Sequence, residues 1–312
     1  MKYVVTGGAG FIGSNLVEEL VRQGKDVIVI DNLCSGRKEL LRDVLDKIKF
    51  VRADIRDLAV LKKEFGSVDF VLHQAALISV TESVEKPELY RAINLKGTRN
   101  VLEAARHNDV KKVVFASSCA VYGNTSVIPQ SESLEPNPLS PYATFKLEGE
   151  ELCREYYEEY GLRTTALRYF NVFGPGQNPE SEYAGVIPLF IKRVLENKRP
   201  VIYGDGEQTR DFVFVKDVVN ANLLACKAKT GLGEAINIGS GKETSVNQLL
   251  SLINKHVNKS IKPRFLCERE GELRRSCSDN SKAERILGYR AEYGFEEGLR
   301  TTIKWVKNQR RK

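Results

Sequence analysis

The chain has 312 residues, of which 42% are hydrophobic, 48 are Lys or Arg and 41 are Asp or Glu, for a net charge of +7. That length suggests one large or two moderate domains, and 24 Gly with 10 Pro are too few for a low-complexity chain. No run approaches the ~20 apolar residues of a membrane span, and Met1-Lys2-Tyr3 leads straight into an apolar strand, so neither a membrane anchor nor a secretory leader is expected.

In chain order, a strand is predicted at Lys2–Thr6, a helix at Ser14–Gln23 and a second strand at Asp26–Ile30. Ile48–Arg52, Asp69–His73 and Lys111–Ala116 read as further buried strands, with helices at Leu58–Phe65 and Asn94–Asn108. Buried β runs separated by helices imply a parallel sheet covered on both faces, an α/β doubly wound domain over the first ~170 residues. After Arg168, Pro175, Pro179, Pro188 and Pro200 with five interspersed glycines mark loops and short elements. Phe212–Val215 and Val218–Ala228 read as a strand and helix rejoining the first domain, and helices at Val246–Asn258 and within 280–308 complete a smaller unit. The expected division is 1–170 plus about 212–238 as a cofactor domain, and about 171–211 plus 239–312 as a smaller, discontinuous α/β substrate domain.

The six cysteines (34, 119, 153, 226, 267 and 277) form no C-x-x-C pair and read as reduced thiols of a cytoplasmic protein. His73, His107 and His256 lack ligand spacing, so no metal site is expected. Basic residues alternate with acidic ones except at Arg310-Arg311-Lys312, which argues against a nucleic-acid partner and leaves a mild attraction for a phosphorylated substrate.

Gly7, Gly10 and Gly13 give a G-x-x-G-x-x-G turn between the first strand and first helix. The first permits the turn, the second lets backbone approach a pyrophosphate, and the third allows close helix–strand packing, with the helix N-terminus facing the phosphates. Asp31 closes the second strand 18 residues beyond Gly13, where a carboxylate accepts from a ribose 2′-hydroxyl and repels a 2′-phosphate. This favours NAD over NADP, although Arg37 and Lys38 stand nearby; the alternative is a turn with no ligand.

Tyr142 and Lys146 stand i, i+4 behind Pro141, which suits the first turn of a helix, so both share one face. A nearby ammonium favours the phenolate and lets Tyr serve as a base near neutral pH. Ser117 and Ser118 end the strand Lys111–Ala116 at the sheet's carboxyl edge, where one hydroxyl could orient a reacting oxygen. Alone, Tyr-x-x-x-Lys reads as an exposed helix pair; beside the glycine turn and the serines it reads as catalytic.

The ordered motifs TGGAGFIG, DNL…SG, ADI, HQAA, NLKGT, SSCAVYG, SPYATFK, RYFNVFGP, GDGEQTRDF and SKAERILGY run essentially end to end. With them the chain resembles the extended short-chain dehydrogenases/reductases, of Rossmann fold, and among these the nucleotide-sugar 4-epimerases. The resemblance implies Ser118, Tyr142 and Lys146 as the catalytic set, Ser118 being preferred because it stands three residues before Val121. It implies NAD held by Gly7, Gly10, Phe11, Ile12, Gly13, Asp31, Asn32, Ser35, Gly36, Asp54, Ile55, Gln74, Ala75, Ala76, Asn94 and Tyr169 besides Tyr142 and Lys146. A UDP-sugar would be held by Ser79, Asn171, Val186, Tyr203, Gln208, Arg210, Arg269, Glu272 and Ser276, with Ser118 and Tyr142 at the sugar. Guanidinium forks suit a pyrophosphate. A homodimer through the Asn94–Asn108 and Tyr142–Tyr160 helices is also implied.

Related dehydratases and decarboxylases place acidic residues just after the catalytic Ser/Thr, and glucuronate 4-epimerases place hydroxyl residues there. Neither Cys119 nor Ala120 can act as that acid–base pair, and the Ala120 side chain cannot hydrogen-bond at all, which disfavours elimination and decarboxylation. Epimerisation by oxidation and re-reduction at carbon-4 needs no such group, so the expected activity is that of an isomerase. Ser276 aligns with the position beside the sugar's 2-substituent, where a small residue admits N-acetyl sugars, and Gln177–Pro188 resembles the same group. UDP-GlcNAc/UDP-GalNAc is therefore the favoured pair, with UDP-glucose/UDP-galactose beside it. UDP-glucuronate 4-epimerase, a dehydratase and a non-catalytic NAD-binding sensor are the alternatives.

Overall fold

Alternate residues of the first strand enter opposite cores, Tyr3 and Val5 on one side and Val4 on the other, as a sheet buried on both faces requires. The computed structural model describes residues 1–179, 185–268 and 273–310. Its strands are β1 (Lys2–Thr6), β2 (Asp26–Asp31), β3 (Lys49–Arg52), β4 (Phe70–His73), β5 (Lys112–Ser118), β6 (Thr164–Tyr169), β7 (Asn171–Phe173), β8 (Val201–Tyr203), β9 (Thr209–Phe214), β10 (Ala235–Ile238), β11 (Glu243–Ser245) and β12 (Arg264–Leu266). A parallel seven-stranded sheet runs in the order β10-β6-β5-β4-β1-β2-β3, and the side to which successive strands are added reverses between β1 and β4. Ligands of such sheets bind outside the strands' carboxyl ends at that reversal.

The helices are α1 (Phe11–Arg22), α2 (Leu58–Glu64), α3 (Val80–Glu85), α4 (Pro87–Tyr90), α5 (Gly97–His107), α6 (Pro141–Tyr160), α7 (Val186–Leu195), α8 (Val215–Lys227), α9 (Val246–Val257), α10 (Ser281–Leu287) and α11 (Phe295–Gln309). α1, α8 and α10 cover one face of the sheet and α2, α5 and α6 the other. A third core gathers Phe173, Phe190, Phe212, Leu249 and Leu299 from α7, α9, α11 and the small sheet β11-β9-β7.

Three expectations change. The helix read at Asn94–Asn108 opens with a π-helical turn, Arg91–Lys96, before α5. That wider turn carries Asn94, whose carboxamide accepts from the Leu77 amide at 2.8 Å and donates to the Leu77 carbonyl at 2.8 Å. The strand read at Phe212–Val215 is β9, and it lies in the small sheet; the chain rejoins the main sheet instead through β10, four residues entered by way of Gly231 and Gly233, both with positive φ. Strand β6, which has no predicted counterpart, is buried along its whole length beside β5.

α8 is tied to the loop before α11 by the buried Asp217, whose Oδ1 accepts the Glu292 amide at 2.9 Å while Oδ2 finds no partner among the described residues. Burial pushes this carboxyl up to about 6. Between the ordinary carboxylate range and that value the folded chain binds the extra proton, so Asp217 lowers stability as pH rises through about 4–6. Asp217→Asn is expected to gain about 2–4 °C in Tm over the wild type at pH 8 and to lose that advantage at pH 4. Thermal unfolding at the two pH values checks this, and an unchanged difference would refute it.

Candidate functional site

The glycine turn sits at the sheet's reversal. Gly7 has φ +67°, its amide donates to Ile30 at 2.8 Å, and a Cβ there would lie 2.7 Å from the Ala75 nitrogen. A Cβ on Gly13 would lie 2.1 Å from the Gly7 carbonyl oxygen, so only glycine lets α1 start this close to β1. No side chain caps α1 and no acid lies in its first turn, which leaves the amides of Phe11 and Ile12 without intrahelical partners and the dipole's positive end facing the turn. This cradle fits a pyrophosphate.

Around it, Asp31 accepts from the amides of Ala9 (2.9 Å) and Leu33 (2.8 Å), which aims the carboxylate at the turn. A Cβ on Gly36 would lie 2.8 Å from its Oδ1. Asn32 donates to Asp54 at 2.9 Å, and the Arg56 guanidinium grips the same carboxylate in a fork, holding it down at about 2. Ile55 is buried against Gly97, and Ser35 is exposed ahead of Gly36. Gln74 donates to Tyr169 and to Asn222, both at 3.2 Å, joining the ends of β4 and β6 to α8. Ala75 donates to Thr6 Oγ1 at 3.4 Å and Ala76 continues the same loop.

Beneath this loop His73 lies between two threonines. Thr98 gives its own proton to the Asn94 carbonyl, so His73 Nε2 is the donor to it, and Nδ1 accepts from Thr6 at 2.7 Å. Burial, helped by the Lys146 ammonium, pulls this imidazole down to about 3 and keeps it neutral. No spacing in the sequence signalled this group.

The reactive set lies where β5 meets α6. Ser140 caps α6 by accepting the Ala143 amide, and Pro141 occupies the first turn. Ser118 Oγ accepts the Ala120 amide at 3.2 Å, which leaves its proton for the Tyr142 oxygen. The Lys146 ammonium donates to the Ala116 carbonyl at 2.7 Å and lies 5.9 Å from the centre of the Tyr142 ring. Here the expected phenol activation is reversed: burial pushes Tyr142 up to about 12, drawn back by Ser118 and raised further by the Cys119 thiol. Lys146 is pulled down to about 8 by burial, opposed by the Glu150 carboxylate. The ammonium is bonded to a backbone carbonyl rather than to the phenol, which is why spacing alone misjudged the balance.

A cavity of about 360 Å³ is lined by Asn171, Val186, Tyr203, Gln208 and Arg210 together. Arg210 donates to the carbonyls of Thr209 (2.8 Å) and Leu273 (2.7 Å). Gln208, 7% exposed, donates to the Tyr203 carbonyl at 2.8 Å while its Oε1 finds no partner among the described residues. Gln177, which was not among the expected contacts, lines the same cavity with its Oε1 also without a partner among the described residues. Two buried carbonyl acceptors suit a ligand rich in N–H and O–H donors, as a nucleoside is.

Ser79 and Ser276 stand outside this cavity. The Ser79 hydroxyl caps α3 by accepting the Glu82 amide, and Ser276 is buried with its hydroxyl 3.3 Å from Gln130 Oε1. Arg269 and Glu272 lie outside the described residues.

A model of the NAD-dependent epimerase/dehydratase family matches residues 3–239. The UDP-glucose 4-epimerase of Mycolicibacterium smegmatis is 41% identical over 314 residues, 99% of each chain. Among solved structures, a UDP-N-acetylglucosamine 4-epimerase from Methanobrevibacter ruminantium, in complex with UDP-N-acetylmuramic acid, is 41% identical with a TM-score of 0.95 over 99% of this chain and 98% of that one. The UDP-glucose 4-epimerase of Thermotoga maritima with UDP-glucose is 39% identical with a TM-score of 0.94, covering 99% of each.

Proposed function

The chain belongs to the NAD-dependent epimerase/dehydratase family, and on that premise we propose that it interconverts the carbon-4 epimers of a UDP-hexose. The observation that carries this reading is the meeting of Ser118, Tyr142 and Lys146 at the end of β5, with neither Cys119 nor Ala120 able to supply the acid–base pair of an elimination. Bound NAD supplies the acceptor and donor of the hydride at carbon-4. Ser118 orients the 4-oxygen, and Tyr142 takes its proton and later returns one from the same atom. Lys146, turned from the Ala116 carbonyl toward the phenol, lowers the cost of the phenolate. The 4-keto sugar presents its other face before re-reduction, while the uridine end stays anchored at Asn171, Gln208 and Arg210. Asp31 would accept from the ribose of bound NAD, and Tyr169 would stand beside its nicotinamide.

The N-acetyl pair is favoured because Ser276 is small and the segment 177–188 resembles that of the N-acetylhexosamine group. The reading divides the chain into 1–170 plus about 212–238 for NAD and about 171–211 plus 239–312 for the sugar nucleotide, with β9 moved to the second unit by its pairing with β7 and β11. It includes a homodimer through the outer faces of α5 and α6, which light scattering at 35.1 kDa would remove. Among the described residues no helix is long and apolar enough to cross a membrane; six free thiols suit a reducing cytoplasm.

Pure protein incubated with UDP-GlcNAc, and separately with UDP-glucose, without added NAD, is expected to yield the 4-epimers on chromatography. Turnover of UDP-glucose alone would overturn the N-acetyl preference. Turnover of neither, with NAD then supplied, would overturn the reading.

A further inference from the structure

We infer that Glu150 is a positioning residue for the reaction, acting through Lys146 and through the end of β5 rather than by touching substrate. Tyr142, Lys146 and Glu150 recur every four residues and form one stripe of α6. Two consecutive residues of β5 are tied to that stripe, the Ala116 carbonyl to Lys146 and the Ser117 hydroxyl to Glu150, and Ser118 follows them at the end of the strand. Glu150 is also held from the next strand. Arg168, opposite Ser117 in the β5–β6 register, forks onto it with Nε at 2.9 Å and Nη2 at 2.7 Å. The two side chains are 6% and 8% exposed.

A buried ion pair is an expensive way to stabilise a fold, and a well-packed apolar pair of similar volume does as well or better. What an apolar pair cannot do is place an anion one helical turn from a buried ammonium. The titratable and charged groups around Lys146 are Tyr142 and Glu150 on its own helix and the neutral His73 of β4. Arg168 of β6 and Cys153 of α6 face Glu150. Glu150 is thus the group that opposes the effect of burial on Lys146. Arg168 in turn stacks 4.8 Å over the Tyr122 ring, whose hydroxyl donates to Asn237 at 2.7 Å, so the carboxylate's position is fixed from β6 and β10 as well as from α6.

This inference rests on the epimerase reading, and the test separates the two. The holoenzyme's kcat is followed against pH for the wild type, Glu150→Gln and Glu150→Asp. Glu150→Gln keeps the shape and loses the charge, so the alkaline limb is expected to move down by about one pH unit with KM nearly constant. Glu150→Asp keeps the charge on a shorter stem and should hold the wild-type limb while kcat drops about tenfold through looser placement of β5. Because Glu150→Gln leaves Arg168 buried and unpaired, the double variant Glu150→Gln/Arg168→Gln is run beside it and should show the same downward shift. A role in packing alone would lower kcat in all variants with the limb unmoved, and that result would overturn the inference. An inactive wild type would instead overturn the epimerase reading.

Discussion

Tyr142→Phe is expected to lower kcat by about 10²–10⁴-fold, the usual worth of a positioned acid–base group, while UDP binds as it does to the wild type. The phenol is the group in the Ser118–Tyr142–Lys146 set that can take the sugar's proton: Ser118 stands as a donor toward it, and the Lys146 ammonium has no proton to gain. The structure also says why the effect should be large. With burial holding Tyr142 up at about 12, the phenolate forms only when its neighbours are correctly aligned, so the group's work is concentrated in the transition state rather than in binding. The uridine-side residues Asn171, Tyr203, Gln208 and Arg210 line a cavity that Tyr142 does not line, so calorimetric UDP affinity should stay within about twofold. A Phe variant retaining more than about a tenth of wild-type kcat would place the proton transfer elsewhere.

Much of this site was legible in the sequence because it depends on local rules. A glycine turn between a strand and a helix, an acid at the end of the second strand and a Tyr–Lys pair behind a proline are each fixed by spacing over a few residues. What stayed hidden depends on distant partners. Glu150 stands at a readable i+4 from Lys146, but its meaning comes from Ser117 and Arg168 on two different strands. The neutral state of His73 depends on Thr6 and Thr98, respectively 67 and 25 residues away. The balance at Tyr142 reversed for the same reason, because burial and the Ala116 carbonyl are tertiary facts. β9 misled the reading because FVFV suits any buried strand, and nothing within it says which sheet it joins.

The second large effect is expected at Gly13. In Gly13→Ala the new Cβ would meet the Gly7 carbonyl oxygen at 2.1 Å and the Gly8 Cα at 2.8 Å, both backbone atoms of the turn itself. A flexible side chain could move aside; these atoms cannot, because Gly7 is pinned by its 2.8 Å hydrogen bond to Ile30 and its carbonyl accepts the Gly10 amide at 3.0 Å. Relief must come from pushing α1 away from β1, which removes the Phe11 and Ile12 amides from where a pyrophosphate would lie. The expected outcome is a protein that purifies without NAD, binds it at least about 100-fold more weakly and melts about 4–8 °C lower, overpacking costing about 1–3 kcal/mol. Gly66→Ala is the matched control, since its Cβ would meet the Lys63 carbonyl at an ordinary 3.6 Å. Absorbance of the released cofactor and thermal unfolding read both variants. If Gly13→Ala retained NAD as Gly66→Ala does, the close approach of helix and strand would not be what holds the dinucleotide, and Asp31 and Asn32 at the adenosine end would have to carry that binding.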